Sequence, residues 1–359
     1  MNIYIGVLLV ISLYAFFLKY SITSFEKYKI LLLFFSCLVL WIVAAFRNES
    51  VGADHLNYRE TFLWVLHIPW EELSDIGVLS GFIKMEYGYL VFNKLLTYIS
   101  KNTQIITIVS SAFIIVGFGR YIYRYSKIPW LSIFLLICMG YYTQSLNVIR
   151  QYMAIVIVLN SIKYIEERRF WRFLMVVVIA SFFHKTACFF LPVYPIARLK
   201  LDRKFLFWAV AGMIFLSTLG NFVLMKLAEL GGFAGYIIKN VQGEGKGMLI
   251  FLALIVVGAF LIQKKTEREE PVMDLFYHIV FMALIFQVLG LQFNMLGRLL
   301  LYYSINIIIF IPNVLATIKS KDVRLMAACS VCGFALFFFY VFCLKNDTSA
   351  VLPYVFYWE

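Results

Sequence analysis

Arg150 is the first residue whose setting suggests chemistry, because it opens a polar stripe on an otherwise apolar segment. Asn147, Arg150, Gln151 and Ala154 follow the i, i+3, i+4, i+7 spacing of one helical face, and Ser161 continues that face. A charge inside a membrane span costs about 2.5–3.5 kcal/mol on insertion scales, so it usually faces a polar cavity or a partner. A snorkelling arginine at a helix end is the simpler alternative. The Asn and Gln on the same face favour a cavity.

His184 is the second such residue. Ala180, Ser181 and Ala187 surround it at i−4, i−3 and i+3, so a neighbouring helix or a ligand could approach closely. A hydrogen-bonded core histidine is the competing interpretation, and the spacing alone does not exclude it.

Arg298 is the third. Arg298, Tyr302 and Asn306 lie at i, i+4 and i+8 and predict a second polar stripe. Its own segment offers no acidic partner, so the partner would be an acidic residue such as Asp54 or Glu86, or a ligand. Two arginines and a histidine at one membrane level would suit a polyanion, since guanidinium groups bind phosphate oxygens bidentately. A lipid pyrophosphate is the natural membrane ligand of that kind.

The elements that must position these residues are membrane helices. The chain is 63% hydrophobic, and apolar runs close to the roughly 20 residues of a membrane span recur along it. We therefore expect an all-α, polytopic transmembrane protein whose residues 1–359 form a single membrane domain. Twelve spans are predicted: 3–18, 30–46, 104–121, 129–146, 149–165, 171–184, 185–197, 205–224, 248–263, 272–290, 299–317 and 325–343. The pair 171–197 is short and could be bent or re-entrant.

The distribution of charge gives an orientation. The net charge of +12 does not require nucleic acid, because 20 of the 32 Lys and Arg lie in one set of short loops, as the positive-inside rule expects of the cytoplasmic side. This places the long loop 47–103 outside the cytoplasm, with Gly88–Ile99 as an amphipathic helix in the interface. If Gly88–Ile99 instead spans, every later loop inverts. The acidic and aromatic loop reads either as an interfacial belt or as a cap that contacts a glycan.

Five motifs in order resemble a known family. Residues 46–58 (FRNESVGADHLNY), 86–93 (EYGYLVFN), 147–154 (NVIRQYMA), 180–187 (ASFFHKTA) and 297–303 (GRLLLYY) are similar to signatures of the EpsG family of Wzy-type bacterial polysaccharide polymerases. Lys185-Thr186 departs from the small residue that is commoner after the histidine.

The resemblance implies a metal-independent membrane glycosyltransferase that uses no cofactor, in a multi-pass protein of the bacterial inner membrane. It would transfer a growing glycan from undecaprenyl pyrophosphate onto a lipid-linked repeat unit at the periplasmic face, in a fold of the glycosyltransferase C type. A chain-length regulator and a flippase of the same pathway would be further partners besides the lipid-linked oligosaccharide and the bilayer.

These implications assign roles to the residues already singled out. Arg150 and Arg298 would bind the pyrophosphate, with Gln151 as a hydrogen-bond donor. His184 ranks first as general base and Asp54 second, with Glu86 a further candidate. The remaining predicted substrate contacts are Asn147, Tyr58 and Tyr302.

Two other functions remain open from the residues. A flippase or transporter of lipid-linked oligosaccharides would also use arginines and a polar cavity, but its charges should lie at several depths of the membrane. A membrane O-acyltransferase would also use a histidine, but it needs an acyl donor on the cytoplasmic face.

Overall fold

The computed structural model describes residues 3–75, 85–199, 245–266, 271–291 and 297–359, together with the single residues 211, 212, 215 and 226. Within these ranges the chain is helical, and its one β-bridge pairs Arg47 with Phe356. The α-helices are α1 (Ile3–Ser21), α2 (Phe25–Ala45), α3 (His55–His67), α4 (Tyr87–Thr97), α5 (Gln104–Tyr125), α6 (Pro129–Cys138), α7 (Tyr141–Asn147), α8 (Ile149–Glu166), α9 (Phe170–Phe183), α10 (Val193–Ile196), α11 (Lys246–Thr266), α12 (Pro271–Gly290), α13 (Gly297–Ser304), α14 (Ile307–Thr317) and α15 (Lys321–Phe338). Short 3-10 helices cover Trp70–Asp75 and Lys185–Phe190, and a π-helical turn, Phe339–Lys345, follows α15.

Six helical stretches in the described ranges are long and apolar enough to cross a membrane. They are Ile3–Ser21, Phe25–Ala45, Gln104–Tyr125, Val272–Gly290, Gly297–Thr317 and Lys321–Lys345. The all-helical, multi-pass class predicted from the sequence is therefore confirmed. The predicted number of twelve spans stays a prediction, and the span 205–224 falls almost wholly outside the described residues, as does most of the loop 225–247.

Helix α5 organises the half of the bundle that carries the site. It packs against α2 on one side and α8 on the other, and α8 packs in turn against α9. Two glycines of α5 make the close approach possible: a Cβ on Gly117 would lie 2.6 Å from Val156 Cβ, and one on Gly119 would lie 2.7 Å from Cys37 Sγ. The helices α2, α5 and α8 are thus in contact at these two glycines, where no larger residue would fit without a shift.

Three predicted spans are not continuous helices. The segment 129–146 divides into α6 and α7 at Gly140, whose φ of +78° is left-handed. The segment 185–197 forms a 3-10 helix and the four-residue α10, since Pro192 and Pro195 remove backbone donors there. The segment 299–317 divides between α13 and α14, and Asn306 Nδ2 donates to the carbonyls of Tyr302 and Tyr303 at the break.

The loop 47–103 contains its own helical structure. It holds α3, the 3-10 helix Trp70–Asp75 and α4, with α3 packed on α4. Helix α4 covers the predicted amphipathic segment from Gly88 to Thr97, and Tyr98 and Ile99 lie beyond its end; its place in the interface stays a prediction. The 11 residues of α4 rise only about 16 Å, too little to cross the hydrocarbon core upright.

Candidate active site

The Glu86 carboxylate joins two of the residues singled out from the sequence. Its Oε2 accepts a hydrogen bond from Arg150 Nη1, and its Oε1 lies 3.3 Å from His184 Nδ1. The backbone N–H of Lys185 also donates to Oε1, at 3.3 Å. The three side chains are mostly buried, with 12% of Glu86, 14% of His184 and 21% of Arg150 exposed. The polar cluster thus lies where α4, α8 and the end of α9 meet.

Local structure explains how Glu86 and His184 meet. Glu86 is the extended residue that precedes the first turn of α4, and His184 is the extended residue that ends α9. Gly88 lies against Phe182: a Cβ on Gly88 would be 2.7 Å from the Phe182 carbonyl oxygen. The glycine therefore lets the start of α4 approach the end of α9, which brings the carboxylate to the imidazole.

The charges around Glu86 keep it ionised. Burial alone would raise the pKa of this carboxyl, but the hydrogen bond from His184 and the positive charge of Arg150 outweigh it and lower the pKa to about 2. A hydrogen bond from Nδ1 to an ionised carboxylate fixes the imidazole tautomer and leaves the lone pair on Nε2. In the described part of the chain, Nε2 has no hydrogen-bond partner.

Arg150 rests on an aromatic support. Its Cζ lies 5.9 Å from the centroid of the Tyr58 ring, and Tyr58 packs edge-on against Tyr89 at 5.5 Å. Burial raises the pKa of Tyr58 to about 12, so the phenol stays neutral beneath the guanidinium. Arg150 Nε is buried and has no hydrogen-bond partner among the described residues. A buried unpaired donor costs about 1–3 kcal/mol, so this edge of the guanidinium is held in place at a cost.

Arg47, in the motif 46–58, has a structural role that its sequence context does not predict. Its fully buried guanidinium donates to the carbonyls of Ala44 and Leu146 and to Ser111 Oγ, at 3.0 Å for Leu146 and 3.3 Å for Ser111. Gly52, with φ of +101°, lies against the same backbone, 3.1 Å from its virtual Cβ to the Leu146 oxygen. The motif 46–58 thus attaches the start of the loop to the residues just before Arg150.

Asn147 and Asp54 belong to this attachment. Asn147 Oδ1 accepts from the backbone N–H of Asp54 at 2.9 Å. The predicted stripe from Asn147 to Ala154 on one helix is wrong in this respect: Asn147 ends α7, and Val148 is non-helical before α8 begins. The Asp54 carboxylate is partly exposed and has no hydrogen bond or ion pair within the described ranges.

Gln151 and Arg298 are neighbours. Gln151 is buried, and its Nε2 donates to the backbone carbonyl of Arg298 at 2.6 Å. The side chain of Arg298 is exposed at the second residue of α13 and makes no ion pair with a described residue. Glu86, one of the acids predicted as its partner, lies on Arg150 instead.

Tyr302 is buried and is connected to the cluster by Thr186, part of the Lys185-Thr186 pair that departs from the family signature. Thr186 Oγ1 donates to the Tyr302 hydroxyl at 3.2 Å and lies 3.4 Å from His184 Nδ1. Asn306, the third member of the predicted stripe, is engaged at the helix break and accepts from Tyr121 OH at 2.6 Å. Over the ranges that the structure covers, no three His, Cys, Asp or Glu side chains are grouped closely enough to hold a metal ion.

The chain is a helical, multi-pass membrane protein in which Arg150, Glu86 and His184 form a polar cluster. The EpsG family model matches residues 30–356, and the chain is a member of that family of Wzy-type polysaccharide polymerases. Membership indicates a glycosyltransferase-like polysaccharide polymerase. A search of curated proteins and a search of solved structures each returned no match.

Proposed function

We propose that the chain extends a polysaccharide by moving the growing glycan from undecaprenyl pyrophosphate onto a lipid-linked repeat unit. The observation that carries this proposal is the bridge that Glu86 makes between Arg150 and His184, within the family's own motifs. Through Glu86, the Arg150 guanidinium, a cation suited to a pyrophosphate, lies close to the His184 imidazole, which is the proposed proton acceptor.

His184 is the proposed general base. The acceptor hydroxyl would give its proton to His184 Nε2 while its oxygen bonds to C1 of the donor sugar. The bond from C1 to the pyrophosphate oxygen breaks, and its electron pair leaves with undecaprenyl pyrophosphate. Glu86 stabilises the imidazolium that forms and holds the ring in place, as a carboxylate does in other carboxylate–histidine pairs.

Glu86 itself is less suited to be the base. A base works best when its pKa lies near the working pH, and the pKa of Glu86 is lowered to about 2. Asp54 is the second candidate for the general base. Its backbone N–H donates to Asn147, and its carboxylate is partly exposed.

The arginines are the proposed pyrophosphate ligands. Arg298 is exposed without a described ionic partner, and the Arg150 side chain remains partly exposed beside Glu86. Preorganised cations of this kind stabilise the negative charge that develops on a leaving group. The contact from Gln151 to the Arg298 backbone suggests that Gln151 positions α13, beside its predicted role as a pyrophosphate donor.

The membrane face, the fold type and the pathway partners are part of the same proposal. The distribution of basic loops supports a site on the periplasmic face of a bacterial inner membrane. The proposed fold of the glycosyltransferase C type follows from the family resemblance. Reaction without a metal, and work beside a flippase and a chain-length regulator, are likewise proposed. A periplasm-active reporter fused at Arg168 should be inactive, and an active one would move the site to the cytoplasm.

Glycan size tests the function in cells. Deletion of the gene should leave lipid-linked single repeat units in place of long polymer, and the wild-type gene should restore the polymer. Accumulation of single units on the cytoplasmic side only would instead favour the flippase alternative.

A further inference from the structure

Helix α5 has two apolar grooves along its membrane-facing side. One groove, of about 590 Å³, lies between α5 and α8, and the other, of about 510 Å³, lies between α5 and α2. The first begins near the cluster, where Phe113 stacks on Phe183, and both extend to Arg120, toward the other end of the helix. Ala112, Val116 and Arg120 line both grooves. These three residues are four apart, so they form one straight ridge with a groove on either side.

The ridge ends in positive charge. Arg120 is exposed, and within the described residues it makes no ion pair. Lys163 lines the first groove at the same end, without an acidic partner in the described ranges and with its Nζ 4.6 Å from the ring centroid of Tyr164. The nearby acid, Glu166, is already engaged by Arg124 and Tyr125.

The length of the grooves matches one leaflet. From Val109, the first residue of α5 that lines a groove, to Arg120 the helix rises about 16 Å, which is about half of a 30-Å hydrocarbon core. A partner transmembrane helix would need a track across both leaflets. An acyl chain of a phospholipid needs only one.

We infer that α5 binds one anionic diacyl phospholipid, with an acyl chain in each groove and its phosphate at Arg120 and Lys163. The phosphate lies toward the end of α5 that is remote from the Glu86–His184 cluster, because the other end of α5 begins at Gln104, whose side chain donates to the Ala45 and Arg47 carbonyls, and Arg47 donates in turn to the Leu146 carbonyl just before Arg150. Basic pockets between membrane helices recognise anionic headgroups in this way. The site is separate from the proposed substrate site and its binding can be measured without turnover.

The test is lipid affinity of the purified full-length chain. Native mass spectrometry should detect phosphatidylglycerol bound more tightly than phosphatidylcholine of the same chain length. At about 1 kcal/mol for each basic residue, Arg120→Gln should weaken phosphatidylglycerol binding about five-fold, and Arg120→Gln with Lys163→Gln about 25-fold. Arg324→Gln removes the same charge from the start of α15, outside both grooves, and should leave the affinity unchanged.

A steric variant separates the grooves from the charge. Val116 is 65% exposed, so Val116→Trp should fill the mouths of both grooves without disturbing the core, and it should weaken both lipids alike. Equal losses in Arg120→Gln and Arg324→Gln, or equal affinity of the wild type for the two lipids, would overturn the inference. So would a bound polypeptide that Val116→Trp displaces, because the grooves would then belong to a partner helix.

Discussion

At the scale of single residues, His184 has two distinct ring nitrogens with different surroundings. Nδ1 faces Glu86 and Thr186, whereas Nε2 has no partner in the part of the chain that the structure describes. The proposed chemistry uses Nε2 alone, so the loss of its proton affinity is separable from the loss of packing.

His184→Gln should lower the maximal rate about 10²–10⁴-fold, because glutamine keeps a hydrogen bond to Glu86 but cannot accept the proton. Protein abundance should be near normal. The measurement is the rate of purified variant against the concentration of lipid-linked donor. A normal maximal rate per folded molecule would pass the base role to Asp54, and weaker donor binding at that normal rate would make His184 a pyrophosphate ligand.

Arg150→Lys and Arg298→Lys should each reduce polymer formation per molecule about 10- to 100-fold, since lysine cannot form the two parallel bonds of a guanidinium and a charged hydrogen bond contributes about 1.5–3 kcal/mol. Polymer length on gels and protein level by immunoblot give the result. Arg59→Lys is the matched control, because Arg59 forms only an exposed pair with Glu49 at 2.9 Å. Normal polymer in both test variants would remove the pyrophosphate assignment.

Glu86→Gln separates charge from hydrogen bonding and has a defined pH dependence. The folded pKa of about 2 lies below the unfolded value of about 4.3, so the ionised carboxylate stabilises the fold fully above about pH 4.3, and this contribution is lost as the pH falls through about 2. The difference in melting temperature between wild type and variant should therefore be constant from neutral to weakly alkaline pH and shrink only in acid. A difference that changes near pH 7 would show that another group controls the cluster.

The sequence singles out candidate site residues but does not predict which of them pair. Arg150, His184 and Arg298 were visible because a charge or imidazole in an apolar segment is costly. That Glu86 lies on Arg150 and not on Arg298 depends on how α4 packs on α9, which no spacing reveals. The role of Arg47 does not follow from spacing, because Ser111 and the Leu146 carbonyl lie 64 and 99 residues further along the chain, although its position between an apolar span and Gly52 is a signal.

At the scale of elements, the contact between α4 and α9 decides the geometry of the cluster. Gly88→Ala should push the start of α4 from Phe182 and lengthen the contact between Glu86 and His184, with a loss of activity larger than the loss of abundance. Activity per molecule and melting temperature in detergent are the two measurements.

Gly333→Ala is the control for this change. Gly333 lies in α15 with nothing within 4 Å of a virtual Cβ, and alanine there should stabilise the helix by up to about 1 kcal/mol. If Gly88→Ala behaves like Gly333→Ala, the close packing of α4 does not set the site.

Hydropathy located most helices but not their breaks. The predicted 3–18 and 104–121 lie within α1 and α5, since long apolar runs leave few alternatives to a helix. The breaks at Gly140 and before Asn306 interrupt apolar runs without a change in hydropathy. The positive φ of Gly140 and the hydrogen bonds from Asn306 to freed carbonyls depend on tertiary packing. Hydropathy alone therefore predicts helix interior at both positions.

At the scale of the whole molecule, the cluster lies near the start of α5, and Arg120, the basic end of the two grooves, lies near its other end. The loop of three helical segments contributes Glu86 to the cluster, and α8 and the end of α9 contribute Arg150 and His184. Arg47 and Asn147 attach this loop to the membrane helices. A lipid bound at Arg120 and Lys163 would lie against both α5 and α8, the helix that carries Arg150.

Polymer growth by the purified chain is the most direct measurement of the central claim. The protein, reconstituted in nanodiscs with undecaprenyl-pyrophosphate-linked repeat units, should yield a ladder of products that differ by one unit, with one undecaprenyl pyrophosphate released for each bond formed. His184→Gln of equal purity should leave single units. Single units that remain unjoined by the wild type, while the same preparation in vesicles moves them across the membrane, would contradict the polymerase and establish a transporter.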